Sequence, residues 1–213
     1  MRRNDKRPPV TRWWWVRHAP VALGAYLYGH TDLTCDCSDV VTLTALAARL
    51  PVEAVVVCSP LSRTRRTLEA LLAAGWTVSN SEPLVEAAFL EQAFGAWEGV
   101  AWCELQKASN PQYATFWASP FTVRPPGGGE NFLDVMTRVR EAISRLADKY
   151  TGHNIVVIAH AGSIRAALAL ALDLTPEQVH TVAVDPLSLT RLEHVGAIWR
   201  VQEVNAVLSD DRP

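Results

Sequence analysis

The chain has 213 residues, 49% hydrophobic and 20% charged, with a formal net charge of −2. That balance supports a single domain with a sizeable core and argues against disorder, a coiled coil and a general nucleic-acid binder. The longest apolar stretch, around Ile155 to Leu174, contains His160, Arg165 and Asp173, so no membrane span is expected.

The chain opens on Arg2, Arg3, Lys6 and Arg7 with Pro8 and Pro9, a pattern that reads as a flexible basic tail over residues 1–10. Recruitment to nucleic acid or membrane through this tail is the weaker reading. No signal peptide is expected, because the apolar run that follows is short and Arg17 interrupts it. An aromatic, β-branched run, Trp13 to Val16, then predicts a buried strand that stops at Arg17-His18. Such a strand end puts a cation and an imidazole at the sheet edge where open α/β folds hold ligands. The imidazole is a nucleophile near neutral pH, and the guanidinium fork fits a phosphate.

After Pro20, Gly24 and Gly29 punctuate a loop that carries His30, Thr31 and Asp32. Ser38 or Asp39 is expected to cap a helix running through Leu43, Leu46, Ala47 and Leu50 to Pro51. Glu53 to Ser59 predicts a second buried strand, parallel to the first. Ser59 as N-cap and Pro60 at the first position predict a helix that ends at Gly75. Arg63 falls in its first turns, where a cation opposes the macrodipole unless an anion sits there too. Arg65 and Arg66 are expected in solvent. The four cysteines, Cys35, Cys37, Cys58 and Cys103, read as free thiols of a reducing cytoplasm. Cys35-Asp36-Cys37 has no second pair at zinc spacing, so no metal is expected.

Glu82 to Gly99 holds three competing carboxylates, Glu86, Glu91 and Glu98. Val100 to Ser109 predicts a short helix ended by Asn110-Pro111, and Pro125 to Gly129 an irregular loop. Phe132, Val135, Met136, Val139, Ile143 and Leu146 recur at helical spacing, which predicts a helix from about Asn131 to Tyr150 with Arg138, Arg140, Glu141 and Arg145 facing mostly water. Ile155 to Ala159 predicts a third buried strand ending in His160, followed by a helix with Ser163 as its cap. Leu187 to His194 and Ile198 to Asn205 alternate like further strands.

Three strand ends thus deliver Arg17-His18, Ser59 to Arg63, and His160. In these segments the chain resembles the histidine phosphatase (phosphoglycerate mutase-like) superfamily. V-R-H-A-P stands where that family has R-H-G, and S-P-L-S-R-T-R-R-T resembles its S-P-L-x-R-A-x-x-T. E-Q-A-F-G-A-W-E-G resembles E-x-x-F-G-x-W-E-G, and A-H-A-G resembles the second-histidine segment. The resemblance runs from Thr11 to about Asn205. It implies an α/β domain over 11–207, with a three-layer α/β/α sandwich and a mostly parallel sheet with helices on both faces. It also implies a small helical or loop cap insert over about 97–130, with a short tail, 208–213, after the domain.

The resemblance further implies a phosphomonoester hydrolase that needs no metal or cofactor and acts on a small phosphorylated metabolite. His18 would be the nucleophile, Arg17 and Arg63 the phosphate ligands, and His160 the residue completing the pocket. Glu91 aligns with the proton donor, with Glu86 in reserve. The chain departs from the family twice: Ala19 replaces a glycine, and the family's Asn is missing from Pro20 to Gly24, leaving Thr31 or His30 to supply a contact. These departures admit a phosphate-binding protein without turnover. A mutase-type phosphotransferase is the other alternative, weakened because W-N is absent. The Y-G-H-T-D-L-T stretch resembles the α-ribazole phosphatase branch. Trp97, Trp102, Tyr113, Phe116, Trp117 and Phe121 either pack the insert or form an aromatic wall for a planar leaving group.

Overall fold

The computed structural model describes residues 8–22, 26–107 and 111–208. Arg2, Arg3, Lys6 and Arg7 of the tail, Gly24, Ser109, Asn110 and residues 209–213 lie outside the described residues. The strands are β1 (Thr11–Arg17), β2 (Val55–Cys58), β3 (Leu84–Val85), β4 (Asn154–Ala159), β5 (Leu189–Val195) and β6 (Ile198–Ala206). They form one sheet in the order β3-β2-β4-β1-β5-β6. The first four are mutually parallel, while β5 runs antiparallel to β1 and β6 antiparallel to β5.

The helices are α1 (Val40–Ala47), α2 (Ser62–Ala73), α3 (Trp102–Leu105), α4 (Pro111–Ala118), α5 (Phe132–Lys149), α6 (Ala161–Leu172) and α7 (Pro176–His180). Period-two alternation sends Trp13 and Trp15 of β1 to one face of the sheet, where α5, α6 and α7 pack. Trp14 and Val16 go to the other face, under α1 and α2. Both faces are covered, which explains the unbroken apolar runs of β1 and β4 and makes the three-layer sandwich. Trp97, Leu105 and Phe116 of the insert form a small separate core with Leu27 from the loop after β1.

Several boundaries differ from expectation. Asp39, not Ser38, caps α1, accepting from the Thr42 amide at 3.0 Å. Tighter bonds from Arg49 to Leu46 and from Leu50 to Ala47 replace its last expected turn. The second helix begins at Ser62 rather than Pro60, because Asp32 accepts from both the Ser62 amide (2.8 Å) and hydroxyl (2.7 Å). Ser59 is thereby released from capping. Ser163 lies inside α6 and His160 takes the N-cap position; the His160 amide donates to Ser163 Oγ at 3.2 Å. The helix expected over Val100 to Ser109 shortens to α3, and α4 occupies a stretch without an expected element. The helix at α7 was not expected either, although Thr175, Pro176 and Gln178 form a capping box with proline at the start.

Candidate active site

Register places the chemistry. Arg17 pairs with Ala159 and Cys58 with Ile158, so the next residues on three parallel strands leave the sheet side by side. The His18 amide bonds the Ala159 carbonyl at 3.0 Å, and the Ser59 amide bonds that of Ile158 at 3.2 Å. The rings of His18 and His160 lie 5.0 Å apart, and both residues are buried.

Each imidazole has a defined tautomer. His18 Nδ1 lies 2.7 Å from the Ala19 carbonyl, which can only accept. Nδ1 therefore carries the proton and Nε2 the lone pair. Burial, then Arg63, pulls the His18 pKa down to about 3, against an opposing hydrogen bond to Ala19. His160 is also held well below the ordinary range, first by burial and then by His18 and Arg63. Arg63 Nε donates to His160 Nδ1 at 3.3 Å, which leaves Nε2 to donate to Ser59 Oγ at 2.8 Å.

Arg63 is fully buried. Its Nη1 donates to the Thr31 carbonyl (3.0 Å) and its Nη2 to that of Gly29 (2.7 Å), with the guanidinium 5.3 Å from the Tyr28 ring centre. Arg17 donates through Nη1 to Val184 O at 2.6 Å, and its buried Nε has no hydrogen-bond partner among the described residues. An orphaned, charged N–H is costly in a protein interior and fits an anion oxygen. Ala19 is tolerated: its amide donates to Thr67 Oγ1 at 2.9 Å, and positive φ among the described non-glycine residues is confined to Asp173, Leu187 and Asn205. No glycine conformation is required at the signature position.

The three carboxylates separate clearly. Glu91 lines a cavity of about 460 Å³ together with Arg17, and its Oε1 accepts from the amides of Gln92 and Gly162, each at 3.0 Å. Glu86 does not line it: it bonds Arg145 (2.7 Å) and the Ala88 amide (3.0 Å), which removes it as the reserve donor. Glu98 collects the His30 amide (2.9 Å), the Phe94 amide (3.0 Å), and the amide and hydroxyl of Thr31 (2.7 and 2.8 Å). Burial pushes the Glu98 carboxyl upward, but those hydrogen bonds prevail and leave it below its ordinary value. Thr31 and His30 are not placed as direct ligands: the Thr31 hydroxyl is spent on Glu98, and His30 Nε2 donates to the Glu91 carbonyl at 2.7 Å. They act by holding Arg63 and Glu91.

Two arginines escaped the sequence reading. Arg138, expected in water, donates to the carbonyls of Ala88 (2.7 Å), Leu90 (2.9 Å) and Glu91 (3.0 Å) and forks onto Glu130. A signal was present, since Arg138 shares a helical face with buried Val135 and Ala142. Arg165 lines the cavity. Among the aromatics of the insert, Trp97 belongs to the core alone, Phe116 is buried in that core and also lines the cavity, and Trp102 and Trp117, 5.8 Å apart, line it too. Among the described residues no group of His, Cys, Asp and Glu is placed to hold a metal ion, and no helix is long and apolar enough to cross a membrane.

The chain is 35% identical over 141 residues to the bifunctional protein Rv2228c of Mycobacterium tuberculosis, covering 66% of this chain and 37% of that one. It therefore spans little more than a third of the length of that relative. Its fold is similar to the α-ribazole phosphatase of Shigella flexneri (TM-score 0.80, 19% identity, 95% of this chain and 100% of that one). It is also similar to a mycobacterial glucosyl-3-phosphoglycerate phosphatase (TM-score 0.76, 25% identity, 92% and 99%). The model of the histidine phosphatase superfamily, branch 1, matches residues 13–207, and the chain belongs to that family.

Proposed function

We propose that the chain hydrolyses phosphomonoesters of small metabolites without a metal ion, through a phosphoryl group carried on His18 Nε2. The observation that carries this reading is the neutral, Nδ1-protonated His18 between two buried or half-buried guanidiniums, Arg17 and Arg63. The Nε2 lone pair attacks phosphorus while the bond to the leaving oxygen breaks, and Glu91 donates a proton to that oxygen. Water then attacks phosphorus, Glu91 takes its proton, and the N–P bond breaks to release phosphate. Phosphoryl transfer depends mainly on positioning and charge stabilisation, which fixed cations supply. His160 holds Arg63 and Ser59 in register with the nucleophile.

Trp102 and Trp117 on the cavity wall support a planar leaving group, and α-ribazole 5'-phosphate is the finer candidate. The free thiols at Cys35, Cys37, Cys58 and Cys103 suit the reducing cytoplasm proposed as its compartment. The test is hydrolysis of p-nitrophenyl phosphate with and without chelator, by the parent and by His18→Ala. Chelator-resistant turnover that vanishes in the variant, with an acid-labile phosphoenzyme trapped on the parent alone, is expected. Full activity in His18→Ala would overturn the reading.

A further inference from the structure

Two thiols that the proposed reaction does not use stand against its scaffold. Cys35 Sγ and Cys37 Sγ lie 3.6 Å apart in the loop between β1 and α1. Cys35 is buried and donates to the Arg63 carbonyl at 3.4 Å; Cys37 is partly exposed and lies 3.8 Å from the Arg66 carbonyl. Both sulfurs therefore face the opening turns of α2. Cys35 Sγ is also 3.9 Å from Thr67 Oγ1, the hydroxyl that accepts from the Ala19 amide and donates to the Arg63 carbonyl. One sulfur thus touches the joint between the segment after His18 and the backbone of Arg63.

The same loop carries the other supports of Arg63. The carbonyls of Gly29 and Thr31 hold its guanidinium, Asp32 binds Ser62 at the start of α2, and the Asp36 amide donates to the Pro20 carbonyl at 2.7 Å. A strap fastened at so many points transmits a movement of its sulfurs to the residues it holds. A disulfide bond is about 2.05 Å long, so forming one draws the two sulfurs together by about 1.5 Å and removes the S–H that Cys35 gives to Arg63. Burial, then the contact with Cys35, pushes the Cys37 thiol up to about 12, with Arg66 opposing. The thiolate is the reacting form, so the pair answers sustained rather than brief oxidation and reacts faster as pH rises. Only Asp36 separates the two cysteines, and strained disulfides are the readily reduced ones, which makes the change reversible. Transient, redox-sensing disulfides are also the kind compatible with a reducing compartment.

We infer that Cys35 and Cys37 are a redox modification site: peroxide joins them in a reversible disulfide, which displaces Arg63 and lowers the activity of the site. The Cys37 sulfur attacks one peroxide oxygen, the O–O bond breaks, and water leaves behind a sulfenic acid. The Cys35 sulfur attacks that sulfur, the S–O bond breaks, and a second water leaves. Two thiols and one peroxide thus become one disulfide and two waters, the sulfurs losing the two electrons that the peroxide gains. The effect on activity rests on the phosphatase reading; the disulfide itself does not.

The test treats Cys103→Ser, which lacks the exposed thiol of α3, with hydrogen peroxide at about pH 8, where more thiolate is present. Trypsin releases residues 18–49 as one peptide that holds Cys35 and Cys37 and no other cysteine. That peptide is expected two hydrogen atoms lighter and closed to alkylation until dithiothreitol is added. In step with it, kcat/KM on p-nitrophenyl phosphate should fall by about 10- to 100-fold, the size of effect that misplacing a positioning group by about 1 Å produces. Inhibition by inorganic phosphate should weaken too, and dithiothreitol should restore both. Cys37→Ser or Cys37→Ala in the same background should keep its activity through the treatment. Absence of the lighter peptide overturns the inference. So does a lighter peptide with unchanged turnover and phosphate inhibition, or an equal loss in the Cys37 variants. A reduced protein without any turnover removes the phosphatase reading instead. Calorimetric binding of inorganic phosphate then decides: weaker binding by the disulfide form supports the switch, and equal binding overturns it.

Discussion

The amide of Gly162 donates to Glu91 Oε1 at 3.0 Å, and a methyl group on Gly162 would stand against that same oxygen. Gly162 is not among the glycines with positive φ, so the requirement is space and not backbone freedom. The amide is one of the unpaired donors at the start of α6, and the helix end thus holds the carboxylate at the cavity wall. Gly162→Ala should therefore act like a mutation of Glu91. Its kcat/KM on an alkyl phosphate is expected to fall by about 10²-fold or more, approaching Glu91→Gln, since a placed acid contributes about 10²–10⁴. Thermal stability should change little, because alanine favours the helix. A Gly162→Ala enzyme with parental turnover would sink this account of Glu91.

Glu98 sits two layers from the nucleophile. It fixes the loop 29–31 through His30 and Thr31, and the carbonyls of Gly29 and Thr31 in turn hold Arg63. Glu98→Gln replaces one acceptor oxygen with an amino group facing existing donors. Glu98 is only part-buried, so loss of this acceptor is expected to cost about 1 kcal/mol, the lower end of the range for a hydrogen bond left unmade. A matching drop in unfolding free energy by urea titration is expected, with several-fold weaker inhibition by inorganic phosphate. Parental values of both would remove Glu98 from the support of Arg63.

The parts of the site that were legible in the sequence are those whose partners are built into the periodic elements. Runs ending in Arg17-His18 and His160 read as buried strands because both faces of the parallel sheet are covered, and parallel register then sets the two imidazoles side by side. The motifs around Arg63 and Glu91 supplied the remaining candidates. What stayed hidden depends on contacts distant in sequence. The start of α2 was misplaced because Asp32, thirty positions away, outcompetes the local Ser59-Pro60 signal. Arg165 bonds a main-chain carbonyl, which leaves no mark on side-chain patterns, while Arg138 was betrayed only by its place on the buried face of α5. The insert hid α4 because its helix is short and borders a proline- and glycine-rich stretch.

Arg138 binds the carbonyls of Ala88, Leu90 and Glu91 and forks onto Glu130, so it sets where the Glu91 backbone runs. Lysine offers a point charge without the planar fork and cannot reach all of these acceptors. Arg138→Met is expected to lower kcat by about 10- to 100-fold with a smaller change in KM, by misplacing the proposed acid. The loss should be larger for alkyl than for p-nitrophenyl esters, whose leaving group needs less protonation. Arg138→Lys should recover part of it. An unfolding defect with an unaltered ratio of alkyl to aryl turnover would assign Arg138 a purely structural role.

The two neutral imidazoles give stability a defined pH dependence. His18 is pulled down to about 3 and His160 well below its ordinary value, burial being the first cause for both. In the unfolded chain each titrates near 6.5. Between those values the unfolded state binds protons that the native state refuses, so stability rises with pH through the window and is lost as pH falls below about 6.5. For His18 the linkage amounts to about 2 kcal/mol between pH 7 and pH 5, a range above most carboxylate titrations. Urea unfolding at those two pH values should show the parent weakened at pH 5 and His18→Asn weakened by about 2 kcal/mol less. An identical pH response in the two proteins would mean that His18 takes up protons in the folded state as it does in the unfolded chain, and would remove the account of a buried imidazole held neutral.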